Sequence, residues 1–279
     1  MTPKDERRSV FPPADRDALE AERAPLTQQT LSPAYRLAFD DLDFLREDAL
    51  RPVRLQLELL KTELSLNRLG VDSTVALFGG ARVPPPEKLG PDTPPGLAAL
   101  APWYDVARDF AAAASRASLA RGGREFVVVT GGGPGVMEAG NRGAVEVGAK
   151  TIGLGIVLPH EQAPNGWVTP ELCFHFHYFA IRKMHFLMRA AAIAVFPGGF
   201  GTMDELFETL TLIQTGRMAR IPILLFGEAF WRRVVNFDAL TEAGVISPGD
   251  LELFSFVETA QEGWARVAAH HRLAEAEER

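Results

Sequence analysis

The sequence predicts an α/β fold, a parallel sheet flanked by helices and preceded by an N-terminal helical extension. Three observations predict it. Short apolar runs, TVALF (74–78), FVVVT (126–130) and AIAVF (192–196), have the length and branched content of strands buried on both faces. Glycine follows each run within two residues, and two runs open onto full glycine turns, Gly131-Gly132-Gly133-Pro134-Gly135 and Pro197-Gly198-Gly199-Phe200-Gly201. Amphipathic stretches of helical period separate the runs, as parallel strands require.

Taken in order, residues 1–31 are polar and rich in charge, and read as a flexible arm, either mostly disordered or lying on a partner. Ser32-Pro33 looks like a helix start, with Ser32 as cap and Pro33 in the first turn. A helical pattern then runs to Leu69 and ends at Gly70, so residues 32–70 form the helical extension. Its second half carries the stripe Val53, Leu57, Leu60 and Leu64, which should be buried against the core or another subunit. Residues 71–275 form the main domain. The first strand is 74–78, and the seven prolines between 83 and 102 make a loop. Helix 103–120, strand 126–130, helix 136–147 and strand 151–157 follow. After a second proline-rich loop come a short strand at 172–176, helix 178–191 and strand 192–196. Helix 202–215, strand 222–226, a helical stretch at 230–243 and helix 259–274 complete the chain. Strands and helices alternating in this way predict a Rossmann-like sheet, whose ligands bind outside the carboxyl ends of the strands.

The totals narrow the function. A net charge of −7 argues against a nucleic-acid binder, which usually needs a basic stripe. A single cysteine, Cys173, excludes an internal disulfide and a cysteine-rich zinc site. The charged N-terminus has no apolar stretch for a signal peptide or membrane span, so a cytoplasmic protein with no membrane partner is expected.

Pro197–Glu205 is the most informative stretch. Glycines 198, 199 and 201 can adopt positive φ and let backbone N–H groups approach an anion. Thr202 can cap the following helix and offer its hydroxyl to the same anion. Asp204 suits a helix start through the macrodipole, but Glu205 and Glu208 sit where a bound phosphate would repel them. A carboxylate there is better aimed at a sugar than at the phosphate. The other turn, GGGPGVMEAGNRGA (131–144), lacks the setting of a dinucleotide fingerprint, because strand 151–157 carries no carboxylate. Its glycines either let helix and strand pack closely or, with the second turn, hold one nucleotide; no NAD is implied. Arg182 and Lys183 supply cations near the phosphate, although Lys183 equally suits a solvated face. His175, His177 and His185 lack a carboxylate at ligand spacing, so no metal is expected. Phe179, Met184 and Phe200 suit either a base pocket or the core.

These residues resemble a known family. PGGFGTMDE (197–205) fits the PGGxGTxxE signature of the LOG ("Lonely Guy") phosphoribohydrolases, often mislabelled lysine decarboxylases. GGGPGVMEAGNRGA and the Arg182-Lys183 pair stand in the order and spacing of that family, and the similarity covers about residues 71–268. The helical extension and YFAIRKMHF look like its larger bacterial branch. The family's Gly-Ser-Ala-Arg after the first strand reads Gly79-Gly80-Ala81-Arg82 here, which removes one hydroxyl.

The resemblance implies hydrolysis of the N-glycosidic bond of a nucleoside 5′-monophosphate, AMP or a cytokinin precursor, to free base and ribose 5-phosphate. It implies catalytic roles for Glu205 and Arg182, and a phosphate loop of Gly198, Gly199, Gly201 and Thr202. Gly132, Gly133, Gly135, Met137 and Glu138, with Lys183 and Glu208, join the substrate site. No cofactor is implied, and a homo-oligomer is. The rival from another class is a non-catalytic nucleotide sensor or molybdenum-cofactor carrier using the same loop. Retention of both Arg182 and Glu205 favours the enzyme, since a carrier does not need the acid. A pyridoxal-phosphate decarboxylase is disfavoured because no lysine comes with the acid that cofactor needs.

Overall fold

The computed structural model describes residues 11–159 and 163–273. The chain divides into two compact units, one ending at Glu58 and the other beginning at Leu59. In the first, Ala14–Ala21 form helix α1, where the sequence suggests a flexible arm. Residues 1–10 of the expected arm lie outside the described residues. Ser32 does act as a cap, its hydroxyl accepting from the Ala34 N–H, but only a single 3-10 turn, Pro33–Tyr35, follows. The helical pattern is interrupted because Asp41 accepts from the N–H groups of Asp43 and Phe44, starting a separate short helix, α2 (Leu42–Leu45). The long helix α3 (Arg51–Arg68) begins with Pro52 in its first turn, where a missing N–H costs nothing.

Among the described residues, the stripe on α3 is left part-exposed. Val53, Leu57, Leu60 and Leu64 are 38–51% exposed, while Thr62 and Leu66 are buried. From Leu59 onward the helix is anchored by charge as well. Both terminal guanidinium nitrogens of Arg189 reach Glu63 at 2.8–3.0 Å, and Nη2 also reaches Asn67.

The second unit is built on seven parallel strands: β1 (Thr74–Phe78), β2 (Val127–Thr130), β3 (Ile152–Ile156), β4 (Cys173–Phe176), β5 (Ala190–Val195), β6 (Ile223–Phe226) and β7 (Ser255–Val257). Their order is β4-β3-β2-β1-β5-β6-β7. The chain therefore works outward from β1 to one side, then returns to pair β5 with β1 and works outward on the other. That reversal is the switch point where such sheets bind ligands.

Helices α4 (Pro95–Ala98) and α5 (Pro102–Ala120) connect β1 to β2, and α6 (Val136–Glu146) connects β2 to β3. The short α4, and a 3-10 turn at Pro86–Lys88, lie within what the prolines suggest is plain loop. Helices α7 (Phe179–Leu187) and α8 (Phe200–Gln214) precede and follow β5; α9 (Glu228–Val234), α10 (Phe237–Glu242) and α11 (Ala260–His270) complete the unit.

Alternation along β1 sets the two faces. Val75 and Leu77 join Phe110 of α5, Ala139 of α6 and Val267 of α11 in one core, with Phe196 stacked on Phe226 at 4.2 Å. Phe78 points the other way and meets Phe186 of α7 edge-on at 4.9 Å. All of β1 and β2 is buried, as a sheet covered on both faces requires.

Three departures from the sequence reading have local causes. The alanine-rich run after Arg189 favours helix by propensity, yet α7 stops at Leu187 because Ala190 pairs with Thr74 in the sheet. The stretch 230–243 is two helices, split where the Asn236 side chain accepts from the Ala239 N–H and caps α10. Strand β7 is only three residues long, too short for a pattern, and is held by its register with β6.

Candidate active site

The exits of β2, β1 and β5 lie side by side and are stapled together by the backbone after β1. The Gly80 N–H donates to Pro197 O at 2.9 Å, and the Val136 N–H donates to Gly80 O at 3.2 Å. Gly80 thus ties both glycine turns to one point. Above it is a cavity of about 650 Å³ lined by Gly131, Arg182, Gly198, Gly199, Thr202 and Glu205, among others. A second cavity of about 860 Å³, lined by Gly132, Gly133, Gly153, Phe174 and His175, adjoins it. Arg82, Met137 and Arg182 line both.

The turn after β5 holds its shape without positive φ at Gly198, Gly199 or Gly201, contrary to the sequence expectation. Gly198 is demanded by close approach instead. A Cβ there would lie 2.1 Å from the Thr202 hydroxyl oxygen, whereas one at Gly199 or Gly201 would meet open space. Thr202 is not the cap either. Helix α8 begins two residues earlier, at Phe200, with Gly199 at the cap position and no side-chain acceptor for its first turn. A 15-residue helix therefore presents an uncapped N-terminus, an arrangement suited to an anion.

Glu205 lies at the sixth position of α8 and is 6% exposed. Its Oε2 has no hydrogen-bond partner among the described residues. Burial pushes its pKa up to about 7, with Glu208 and Asp204 adding to the rise and Lys183 and Arg182 opposing it. Arg182 enters from α7. Its Nε donates to Leu154 O at 2.8 Å, its guanidinium lies over the Phe186 ring, and Nη2 packs where a Gly131 side chain would be. Burial lowers the Arg182 pKa, opposed by the charge of Glu205. A buried acid and a half-buried guanidinium thus share one cavity.

Other expected site residues fall elsewhere. Lys183 lines neither cavity. Its Nζ lies 2.9 Å from both Asp204 Oδ2 and Glu208 Oε2, on either side of Glu205 along α8. Burial pulls the Lys183 pKa down, but its two carboxylate partners outweigh that and raise it. Glu208 likewise faces this ion pair and an open groove along α8 rather than the main cavities. The position of Asp204 is thus explained by Lys183 rather than by a helix start. Glu138 accepts a hydrogen bond from the Tyr104 hydroxyl at 3.1 Å and lies outside both cavities; burial pushes Tyr104 up to about 12. Gly135 lines neither, but a Cβ on it would sit 2.3 Å from Gly80 O. Phe179 and Phe200 form an exposed rim, Phe200 at 95%, and Met184 is exposed away from both cavities.

A polar network that the motif reading missed holds the turn after β2. The Thr130 hydroxyl donates to Asn141 Oδ1 at 2.7 Å and accepts from the Gly132 N–H at 2.9 Å. Asn141 Nδ2 donates to the Thr151 hydroxyl at 2.8 Å. Asn165 Nδ2 lies within 3.0 Å of Gly132 O, Gly133 O and Asn141 Oδ1. The signal for Asn141 was present: it is a fully buried polar residue on the face of α6 that also carries Val136, Ala139 and Ala144. Asn165 sits in a proline-rich loop with no periodic pattern to single it out.

Among the described residues, no group of three His, Cys, Asp or Glu is arranged to hold a metal, and no helix is long and apolar enough to cross a membrane. Nor does a lysine line either cavity. A pyridoxal-phosphate aldimine needs a neutral amine in reach, and Lys183 is held as ammonium between two carboxylates, so that cofactor does not fit.

A family model described as "Possible lysine decarboxylase" matches residues 137–267. A probable cytokinin riboside 5′-monophosphate phosphoribohydrolase of Oryza sativa subsp. japonica is 33% identical over 82 residues, 29% of this chain and 39% of that protein. A cytokinin riboside 5′-monophosphate phosphoribohydrolase of Arabidopsis thaliana is also 33% identical over 82 residues, 29% of this chain and 38% of its own. The chain thus spans about two fifths of the length of the curated relatives it matches. Among solved structures, a molybdenum cofactor carrier protein from Chlamydomonas reinhardtii aligns over 71% of this chain and 97% of its own, with 16% identity and a TM-score of 0.39.

Proposed function

We propose that this chain, which belongs to the LOG family, hydrolyses the N-glycosidic bond of a nucleoside 5′-monophosphate, releasing free base and ribose 5-phosphate. The observation that carries the reading is Glu205: a buried carboxyl with an unpartnered oxygen, one turn along a helix whose glycine-rich N-terminus is uncapped. Burying an acid without a hydrogen bond costs stability, and that cost is understandable where the acid acts on a ligand.

The chemistry follows from the layout. Backbone N–H groups of the 198–202 turn hold the phosphate, and that remote binding energy positions the ribose over Glu205. Leaving of the base builds positive charge at the anomeric carbon. The Glu205 carboxylate stabilises that charge and orients the water that attacks there. Arg182 anchors the substrate between the two cavities and stabilises negative charge on the departing base, which takes up the proton that the attacking water releases. The carboxylate form of Glu205 does this work, so activity rises with pH through about 7.

AMP and its prenylated analogues are the proposed substrates. The part-exposed stripe on α3 supports assembly as a homo-oligomer, and the protein is proposed to work in the cytoplasm.

The test is incubation with a panel of nucleoside monophosphates, including AMP and isopentenyladenosine monophosphate, with free base read by chromatography. Glu205→Gln should cut turnover by a factor of about a thousand while leaving AMP binding largely intact. Near-normal turnover in that variant refutes the role of the acid. No release from any nucleotide by the folded wild type, with a pterin co-purifying, replaces the enzyme with a carrier.

A further inference from the structure

We propose that Arg82, just beyond β1, is the cation that meets the phosphate of the bound ligand; this rests on the nucleotide reading above. The charged side chains lining the smaller cavity are Arg82, Arg182, Asp204 and Glu205. A phosphate monoester brings close to two negative charges into a space that already holds two carboxyls. The end of α8 supplies only about half a positive charge, so a full cation is needed beside it.

Neither expected candidate is free for that task. Lys183 lies outside the cavity and is bound to Asp204 and Glu208, both at 2.9 Å. Arg182 is fixed by its bond to Leu154 O and faces Gly131, and its charge is coupled to Glu205. Arg82 is exposed and makes no hydrogen bond or ion pair with any described residue.

Its backbone, by contrast, is well placed. Gly80, two residues earlier, donates to Pro197 O at 2.9 Å, so the segment carrying Arg82 is tied to the turn that precedes α8. Arg82 lines the cavity at the exit of the central strand rather than on a flanking helix. A guanidinium there can fork across two phosphate oxygens while the helix amides take the third. Fixed backbone and unengaged side chain are what a residue needs to close onto a ligand.

The experiment compares AMP with adenosine, which differ only in the phosphate, by calorimetry on the full chain and on Arg82→Gln and Arg82→Lys. Arg82→Gln should weaken AMP binding about 10- to 100-fold and leave adenosine unchanged. Arg82→Lys should recover part of the loss, and inorganic phosphate should compete with AMP more weakly against the Gln variant than against wild type. Equal weakening of AMP and adenosine, or no change in either, overturns the proposal. So does a wild type that binds AMP no better than adenosine. Binding of AMP that depends on Arg82 without any release of base would leave the proposal standing and refute the hydrolase reading, so the two failures are separable.

Discussion

The two glycine turns look alike in sequence and are built on opposite principles. In the turn after β2, Gly132 and Gly135 have positive φ, and Thr130, Asn141 and Asn165 hold its backbone through a buried hydrogen-bond network. In the turn after β5 no glycine has positive φ, the helix it opens is uncapped, and two of its glycines face open space. The first turn satisfies its own polar groups and serves as a fixed wall. Among the described residues, the second leaves a helix N-terminus without a side-chain cap and a buried acid oxygen without a partner, the groups that the proposed substrate would engage. Glycine content alone does not separate these roles; where the missing Cβ would point does.

Substitutions can break or sharpen that contrast. Gly135→Ala should have the largest effect. Alanine there would have to hold a φ of +69°, and its Cβ would fall 2.3 Å from Gly80 O, so a loss of about 3 kcal/mol or more is expected from strain and overpacking together. Urea denaturation checks it; a loss under 1 kcal/mol would mean the first turn is not a rigid wall.

Glu205→Gln comes next and should stabilise the fold, with a pH dependence of definite sign. The folded pKa of about 7 lies above the ordinary 4.5, so the ionised form is the one that burial penalises. The contribution of the acid is intact below pH 4.5 and is lost as pH rises through 7. The variant should therefore match wild type near pH 4 in this term and gain as much as about 3 kcal/mol by pH 9. A stability difference that does not change between these pH values would show that Glu205 is not strained by burial.

Gly199→Ala should have the smallest effect on the fold, within about 0.5 kcal/mol, because a Cβ there meets nothing. The same methyl group should nevertheless weaken AMP binding severalfold, if the space it enters is where the phosphate sits. A change in stability with unaltered AMP affinity would make the second turn structural like the first.

Much of this was legible beforehand for physical reasons. Strands such as TVALF and FVVVT are buried on both sides, so their apolar runs stand out, and the glycine turns mark their carboxyl ends. Arg182 and Glu205 were also legible, because a charged residue beside a glycine turn at a strand end has few structural reasons to be there. Lys183 and Glu208, also expected at the site, line neither main cavity, because spacing along a chain cannot say which side of a helix a neighbouring helix will approach. They pair with each other across α7 and α8. Asn165 was passed over, and Arg82 was named only as part of the turn after β1 and given no role, because each lies in a loop, where no periodicity assigns a side chain to a face.

What the sequence determined by itself was the alternation of strands and helices, the location of both turns and the choice of Glu205 and Arg182 as candidates. These rest on local patterns: period, turn chemistry and residue type. Only the tertiary structure decided that β5 returns to pair with β1, that Gly80 staples the two turns together, and that Lys183 faces carboxylates rather than the cavity. Those are contacts between residues far apart in the chain, settled by which surfaces pack and which charges burial brings within reach of one another.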